Sequence, residues 1–204
     1  WDRLPKRLHL MTIWLAAIGT MLSAIFILAA NSWMQNPVGS VFNPATDRAE
    51  MVDLGAVLTN PVTLVTFPHV LFAAYMVAGG LVMGVSGVHL AKLNSAKQAG
   101  ELTERQSEDL DAHRFATKFG AWVLLVASVG ILVTGDIQGK IMTEVQPMKM
   151  AAAEALYENE GGDGSCADFS ILTIGTLDVS EEIWSLKVPC VLSFLATGTF
   201  DGKV

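Results

Sequence analysis

VTLVTFPHVLFAAYMVAGGLVMGVSGVHL, residues 62–90, contains no Asp, Glu, Lys or Arg, and its two histidines are its only basic side chains. About 20 helical residues cross a bilayer core, so the run is long enough to span a membrane with tilt. Two further uncharged runs accompany it: LMTIWLAAIGTMLSAIFILAA at 10–30 and FGAWVLLVASVGILVT at 119–134. The last is short enough to need Lys118 snorkelling at its end. Half of the 204 residues are apolar and 16% are charged, and the charges avoid these runs. The pattern predicts an all-α membrane protein with three transmembrane helices, about 10–30, 62–90 and 118–134, belonging to a larger helical bundle. Residues 135–204 read as an external loop domain with a short helix and little strand, incomplete at its C-terminus. The chain opens on Trp1 and stops at Val204 without an evident terminal element, so it reads as a piece of something longer. A secretory signal at the first run would need a small-residue cleavage site, which Asn31-Ser32-Trp33 does not supply.

Orientation follows the lysines and arginines of the short loops. Arg3, Lys6 and Arg7 precede the first span, and Lys92, Lys97, Arg105, Arg114 and Lys118 lie between the second and third, whereas 31–61 holds only Arg48. Residues 1–9 and 91–118 are therefore expected in the cytoplasm, and 31–61 and 135–204 outside. In that external tail lie both cysteines, Cys166 and Cys190. An oxidising compartment favours their pairing, which would stabilise the segment by about 3–4 kcal/mol through loop closure. Two unpaired thiols sharing a loop are the alternative.

A single imidazole, His69, stands in the outer part of the second run, about one to two turns inside the membrane boundary. A polar ionisable group in hydrocarbon is costly and points to a function. Phe72, Ala73 and Met76 continue its face, and Ala73, Gly80, Gly84 and Gly87 form a small-residue stripe that admits either another helix or a flat cofactor. If the imidazole held a haem iron, no other histidine lies at the right depth to share it. His89 is twenty residues along the same helix, about 30 Å away, and His9 and His113 sit towards the cytoplasmic side. Met34, Met76 or a residue outside the chain remain as a second ligand. For His89 and His113 an interfacial or solvated position is expected. His9, following Arg3, Lys6 and Arg7, belongs to a basic cluster that suits cofactor carboxylates or lipid head groups.

Between the first two spans, Trp33 reads as an interface anchor. A short amphipathic helix is expected over 49–58, with Asn60-Pro61 turning the chain back. After the third span, Pro147 followed by alanines predicts a helix. Lys149 and Glu154, about 140° apart round such a helix, read as separate solvated charges. The stretch 160–164 is expected to be a flexible connection and 169–177 a strand.

In register along the chain, WDRLPKRLH, AANSWMQNPVG, FPHV, GD and QPMKMAAAEALYE resemble subunit I of the cytochrome bd-type quinol oxidases, from Trp1 to about Tyr157 and less specifically beyond. The resemblance implies a bacterial plasma-membrane enzyme, a quinol:oxygen oxidoreductase. It would oxidise quinol at the outer face and pass electrons through a low-spin haem b to a second haem b and a haem d, where oxygen becomes water. It implies His69 as the axial ligand of the low-spin haem iron. Lys149 and Glu154 match the external quinol-binding segment, and Asp136 an acid near it. His9, Ser23 and Asn31 match polar positions that line the other haems and a proton route. Quinol, oxygen, a second membrane subunit and the remainder of subunit I are the implied partners, and with a net charge of −7 no nucleic acid is expected. Two features depart from the family pattern: these residues include no transmembrane glutamate for proton delivery and no evident methionine partner for His69. The chain alone is therefore expected to be inactive. A non-enzymatic transporter or scaffold with a helix-packing histidine is the competing reading. A generic two-haem cytochrome b is disfavoured, because its histidines would pair at equal depth.

Overall fold

The computed structural model describes residues 4–161, 165–177 and 180–201. Arg3, the 162–164 part of the expected connection, and Lys203 lie outside them. Ten elements follow in order: α1 (Lys6–Gln35), β1 (Ser40–Asn43), β2 (Arg48–Met51), α2 (Leu54–Leu58), α3 (Pro61–Ala99), α4 (Glu104–Val145), α5 (Pro147–Ala153), β3 (Phe169–Gly175), β4 (Glu182–Val188) and α6 (Val191–Thr197). The fold is mostly helical, with two small antiparallel hairpins.

Helices α1, α3 and α4 are long and apolar enough to cross a membrane. Each contains one expected span but runs beyond it. Hydropathy marks only the length that hydrocarbon tolerates, whereas the backbone ladder continues through Lys92 and Lys97 on α3 and through 135–145 on α4. Few of their side chains are covered within the chain: Ile27 is 65% exposed and Leu132 72%. Apolar helices of this kind need lipid or further protein around them.

The chain divides into two compact units, Pro68–Gly135 and the remainder. In the first, α3 and α4 form an antiparallel hairpin whose backbones meet at Gly79 and Gly120. A Cβ on Gly120 would lie 2.8 Å from the Gly79 carbonyl oxygen, and one on Gly79 2.9 Å from that of Gly120. The expected small-residue stripe is thus displaced by one position. Gly79 makes the contact, while a methyl added at Gly84 or Gly87 would meet nothing within 4 Å and one at Gly80 would only touch the tip of Leu124. Stripe arithmetic finds a face; it does not find which turn of the neighbour arrives there.

The second unit holds α1, α2, α5 and α6, the start of α3, the end of α4 and the two hairpins. Asn60, fully buried, caps α3 by accepting from the Val62 amide at 3.0 Å and donates from Nδ2 to the Asn36 carbonyl at 2.9 Å. The expected helix over 49–58 is corrected here: only Leu54–Leu58 is helical, capped by the Asp53 carboxylate on the Ala56 amide, and Arg48–Met51 is a strand paired with Ser40–Asn43. Turn chemistry outweighs the amphipathic pattern. Asn43 accepts from the Ala45 amide and donates to Glu50, closing a hairpin that period counting cannot register. Strand β3 matches the expected strand; its partner β4 was not foreseen.

Candidate functional site

His69 sits on α3 directly after Pro68, which carries no N–H and so leaves the Leu64 carbonyl without its helical donor. Its Nδ1 lies 2.9 Å from the hydroxyl of Thr134 on α4. That hydroxyl is also 2.7 Å from the Gly130 carbonyl, one helical turn back. A hydroxyl has one proton. Given to Gly130, it leaves Thr134 Oγ1 as the acceptor for a proton on His69 Nδ1, and Nε2 then carries the lone pair. Nε2 has no hydrogen-bond partner among the described residues. Beside the ring is Gly135, where even a methyl would sit 3.4 Å from Cε1. An imidazole held through one nitrogen with the other open has the donor chemistry an axial iron ligand requires, so the residues present fit a haem at this position.

Met76 does not qualify as the second ligand. It follows His69 by two turns of the same helix, about 10 Å, and its sulfur lies 3.7 Å from the Ser128 hydroxyl, whose nearer acceptor is the Leu124 carbonyl at 2.8 Å. Two axial ligands approach an iron from opposite sides, which neighbouring turns of one helix do not allow. Met34, near the end of α1, is 64% exposed. At the far end of the hairpin, His89 and His113 stack with ring centroids 4.9 Å apart and planes within 7°. His89 is exposed and His113 half-buried.

His9, Ser23 and Asn31 all lie on α1. At 100° per residue they fall within an arc of about 80°, spread over about 33 Å of helix. They share a face but not one small ligand. Ser23 and Asn31 are exposed and His9 half-buried.

Asp136 and Lys149 flank the end of α4, and both have partners that the sequence reading overlooked. Asp136 pairs with Lys140 at 2.7 Å, one turn on, and the same ammonium lies 5.9 Å from the Phe194 ring centroid. Spacing of i, i+4 makes that pair legible in hindsight. Lys149 donates to Gln35 Oε1 at 3.0 Å, and Gln146 Nε2 donates to the Gln35 carbonyl at 2.5 Å. Gln35 thus clasps the start of α5 with both its side chain and its backbone. No spacing rule links residues so far apart in sequence. Glu154 is the C-cap of α5, half-buried, and its carboxylate has no bonding partner among the described residues. Behind it Ala155 takes φ 54°, and the Leu156 amide reaches the Ala151 carbonyl at 2.9 Å. This is a Schellman closure in which alanine stands where glycine is usual. Lys149 and Glu154 face different partners, as their spacing implies.

Downstream, Cys166 and Cys190 stand with sulfurs in bonding contact and Cα atoms 4.9 Å apart. Asp168 accepts from the Cys190 amide at 3.0 Å, and Ala167, fully buried, donates to Ser193 Oγ at 2.8 Å. Lys187 bridges Glu160 at 3.0 Å and Glu182 at 3.3 Å. Glu160 beside it holds the Lys187 ammonium above the ordinary lysine range. The Ser185 hydroxyl, and then Lys187, hold the Glu182 carboxyl below the usual carboxylate value.

Comparison with known proteins extends over the whole chain. Residues 1–204 match the family model for cytochrome bd terminal oxidase subunit I. Cytochrome bd ubiquinol oxidase subunit 1 of Bacillus subtilis is 39% identical over 204 residues, all of this chain and 40% of that protein. Cytochrome bd-II ubiquinol oxidase subunit 1 of Escherichia coli is 33% identical over all of this chain and 36% of its own length. The bd oxidase structure from Geobacillus thermodenitrificans superposes with a TM-score of 0.72 at 27% identity, covering all of this chain and 43% of that one. The chain therefore spans about two fifths of the length of these relatives. It belongs to the cytochrome bd terminal oxidase subunit I family.

Proposed function

We propose that the chain provides the low-spin haem ligand and the quinol-oxidising segment of a bacterial terminal oxidase that reduces oxygen to water. The observation that carries the reading is His69, held through Nδ1 by Thr134 with Nε2 open, in a chain of this family. Haem b bound there would take up and pass on single electrons. The second haem b, haem d, the oxygen chemistry and a second membrane subunit belong to the assembled oxidase.

Each quinol that becomes quinone releases two protons and two electrons. Glu154, whose carboxylate has no other partner among the described residues, is the group suited to accept a hydroxyl proton and pass it to the outside. Lys149, steadied by Gln35, places a positive charge where a quinol oxygen turns anionic. Asp136, paired with Lys140, holds the base of this segment and adds a carboxylate that can exchange partners. His9, Ser23 and Asn31 line one face of α1 for the remaining cofactors and a polar route. The segments 1–9 and 91–118 face the cytoplasm, and 31–61 and 135–204 the exterior, where Cys166 and Cys190 form a disulfide. A reduced-minus-oxidised spectrum of the full oxidase tests the ligand assignment: His69→Ala should lose the low-spin haem b band, and its survival would remove His69 from that role.

A further inference from the structure

We infer that Thr134 is a positioning residue for the His69 ligand: it selects the tautomer with the proton on Nδ1 and leaves the lone pair on Nε2. The inference rests on the reading of His69 as a haem ligand and deepens it. Three distances carry it. Thr134 Oγ1 lies 2.7 Å from the Gly130 carbonyl, 3.4 Å from that of Ile131 and 2.9 Å from His69 Nδ1. The two backbone oxygens can only accept; with the single hydroxyl proton given to the nearer of them, the imidazole nitrogen is the neighbour left to donate to Oγ1. Among the described residues no other group contacts Nδ1 by hydrogen bond. The tautomer is thus set by a helix carbonyl acting through a hydroxyl, without a carboxylate.

Local sequence makes this arrangement possible. Thr134 and Gly130 are one turn apart, so the hydroxyl reaches back along its own helix. A methyl at Gly130 would collide with the Phe72 ring at 2.6 Å, so glycine there lets Phe72 lie against α4 one turn beyond His69. At Gly135 the space beside Cε1 is open to about a methyl's width. The imidazole is therefore held by one hydrogen bond at Nδ1 with a glycine beside Cε1, and Nε2 has no hydrogen-bond partner among the described residues. A ligand histidine that donates from its other nitrogen is the stronger electron donor, and it favours the ferric over the ferrous iron.

The test compares Thr134→Val and Thr134→Ser in the complete oxidase, with His69→Ala as reference, by redox titration of the low-spin haem band and by its ferric electron paramagnetic resonance signal. Valine keeps the shape and removes the acceptor. A tenfold loss of relative ferric stabilisation corresponds to an upward shift of about 59 mV in midpoint potential, and haem retention should fall about 10–100-fold. Serine should restore both towards the parental values. A Thr134→Val enzyme with parental potential and signal, beside a His69→Ala enzyme that has lost the band, overturns the Thr134 inference alone. A band that survives His69→Ala overturns the ligand reading instead. Should Thr134→Val assemble without haem, serine decides: restored haem supports the hydroxyl's role, and haem lost there as well refutes it.

Discussion

Replacing Gly120 by alanine should separate the two helices of the Pro68–Gly135 unit, because the added methyl meets the backbone of α3 at two points. Its Cβ would stand 2.8 Å from the Gly79 oxygen and 2.8 Å from the Met83 nitrogen. Non-bonded heavy atoms prefer about 3.5 Å, so the crossing must open by roughly 0.7 Å. Neither partner can rotate away. Overpacking of this kind costs about 1–3 kcal/mol, against about 1 kcal/mol gained from the helix propensity of alanine over glycine. Gly84→Ala collects the propensity gain without a clash, since nothing lies within 4 Å of its methyl position. The propensity gain is common to both variants, so their difference isolates the contact, and about 1–3 kcal/mol is expected. Denaturation with sodium dodecyl sulfate in mixed micelles, followed by circular dichroism, measures it. Gly79→Ala should behave like Gly120→Ala, and the double variant should cost much less than the sum, because one separation admits both methyls. Equal stability of Gly120→Ala and Gly84→Ala within about 0.5 kcal/mol would refute the backbone contact, and so would strict additivity in the double variant.

Four other outcomes concern α5 and the β3–β4 hairpin. Glu154→Ala should abolish quinol-dependent oxygen uptake with the haem spectrum intact; normal uptake removes Glu154 from the mechanism. Gln35→Ala should raise the KM for quinol about fivefold, an effect of about 1 kcal/mol on the Lys149 clasp, and an unchanged KM would show that Lys149 orients itself unaided. Ala155→Gly should stabilise the α5 terminus by about 1 kcal/mol, relieving a left-handed alanine, as read by hydrogen exchange at the Leu156 amide. The pairing of Lys187 contributes fully below the ordinary lysine pKa of about 10.4 and is lost as pH rises through its elevated value. That of Glu182 contributes above about pH 4.3 and is lost as pH falls through its depressed value. Protease resistance of the β3–β4 hairpin should therefore be flat between those limits and drop outside them, and Lys187→Met should erase the alkaline drop.

Long-range pairing marks where legibility stopped. The helices were readable because a bilayer imposes length and apolarity on every residue that crosses it, and His69 was readable because it violates that rule. Pro147 announced α5 through its own missing N–H. By contrast Thr134 is 65 residues from the imidazole it touches, and Gln35 is 114 from Lys149. Such partners satisfy no local period. The strand at 48–51 was hidden for a related reason: its hairpin is closed by Asn43 hydrogen bonds rather than by alternation, and every one of its residues is exposed. Asp136 with Lys140 is the exception, a partner within one turn that spacing alone offered.

The glycine crossing also has a mechanical meaning. Gly79 lies ten residues after His69 and ten before His89 on α3, about 15 Å from each. Two backbones in contact, with no side chain between them to repack, act as a fulcrum with arms of equal length. Any change in the angle between α3 and α4 displaces the two histidines by similar amounts in opposite senses. The stacked His89–His113 pair at one end and the His69–Thr134 hydrogen bond at the other are therefore opposite tips of one lever.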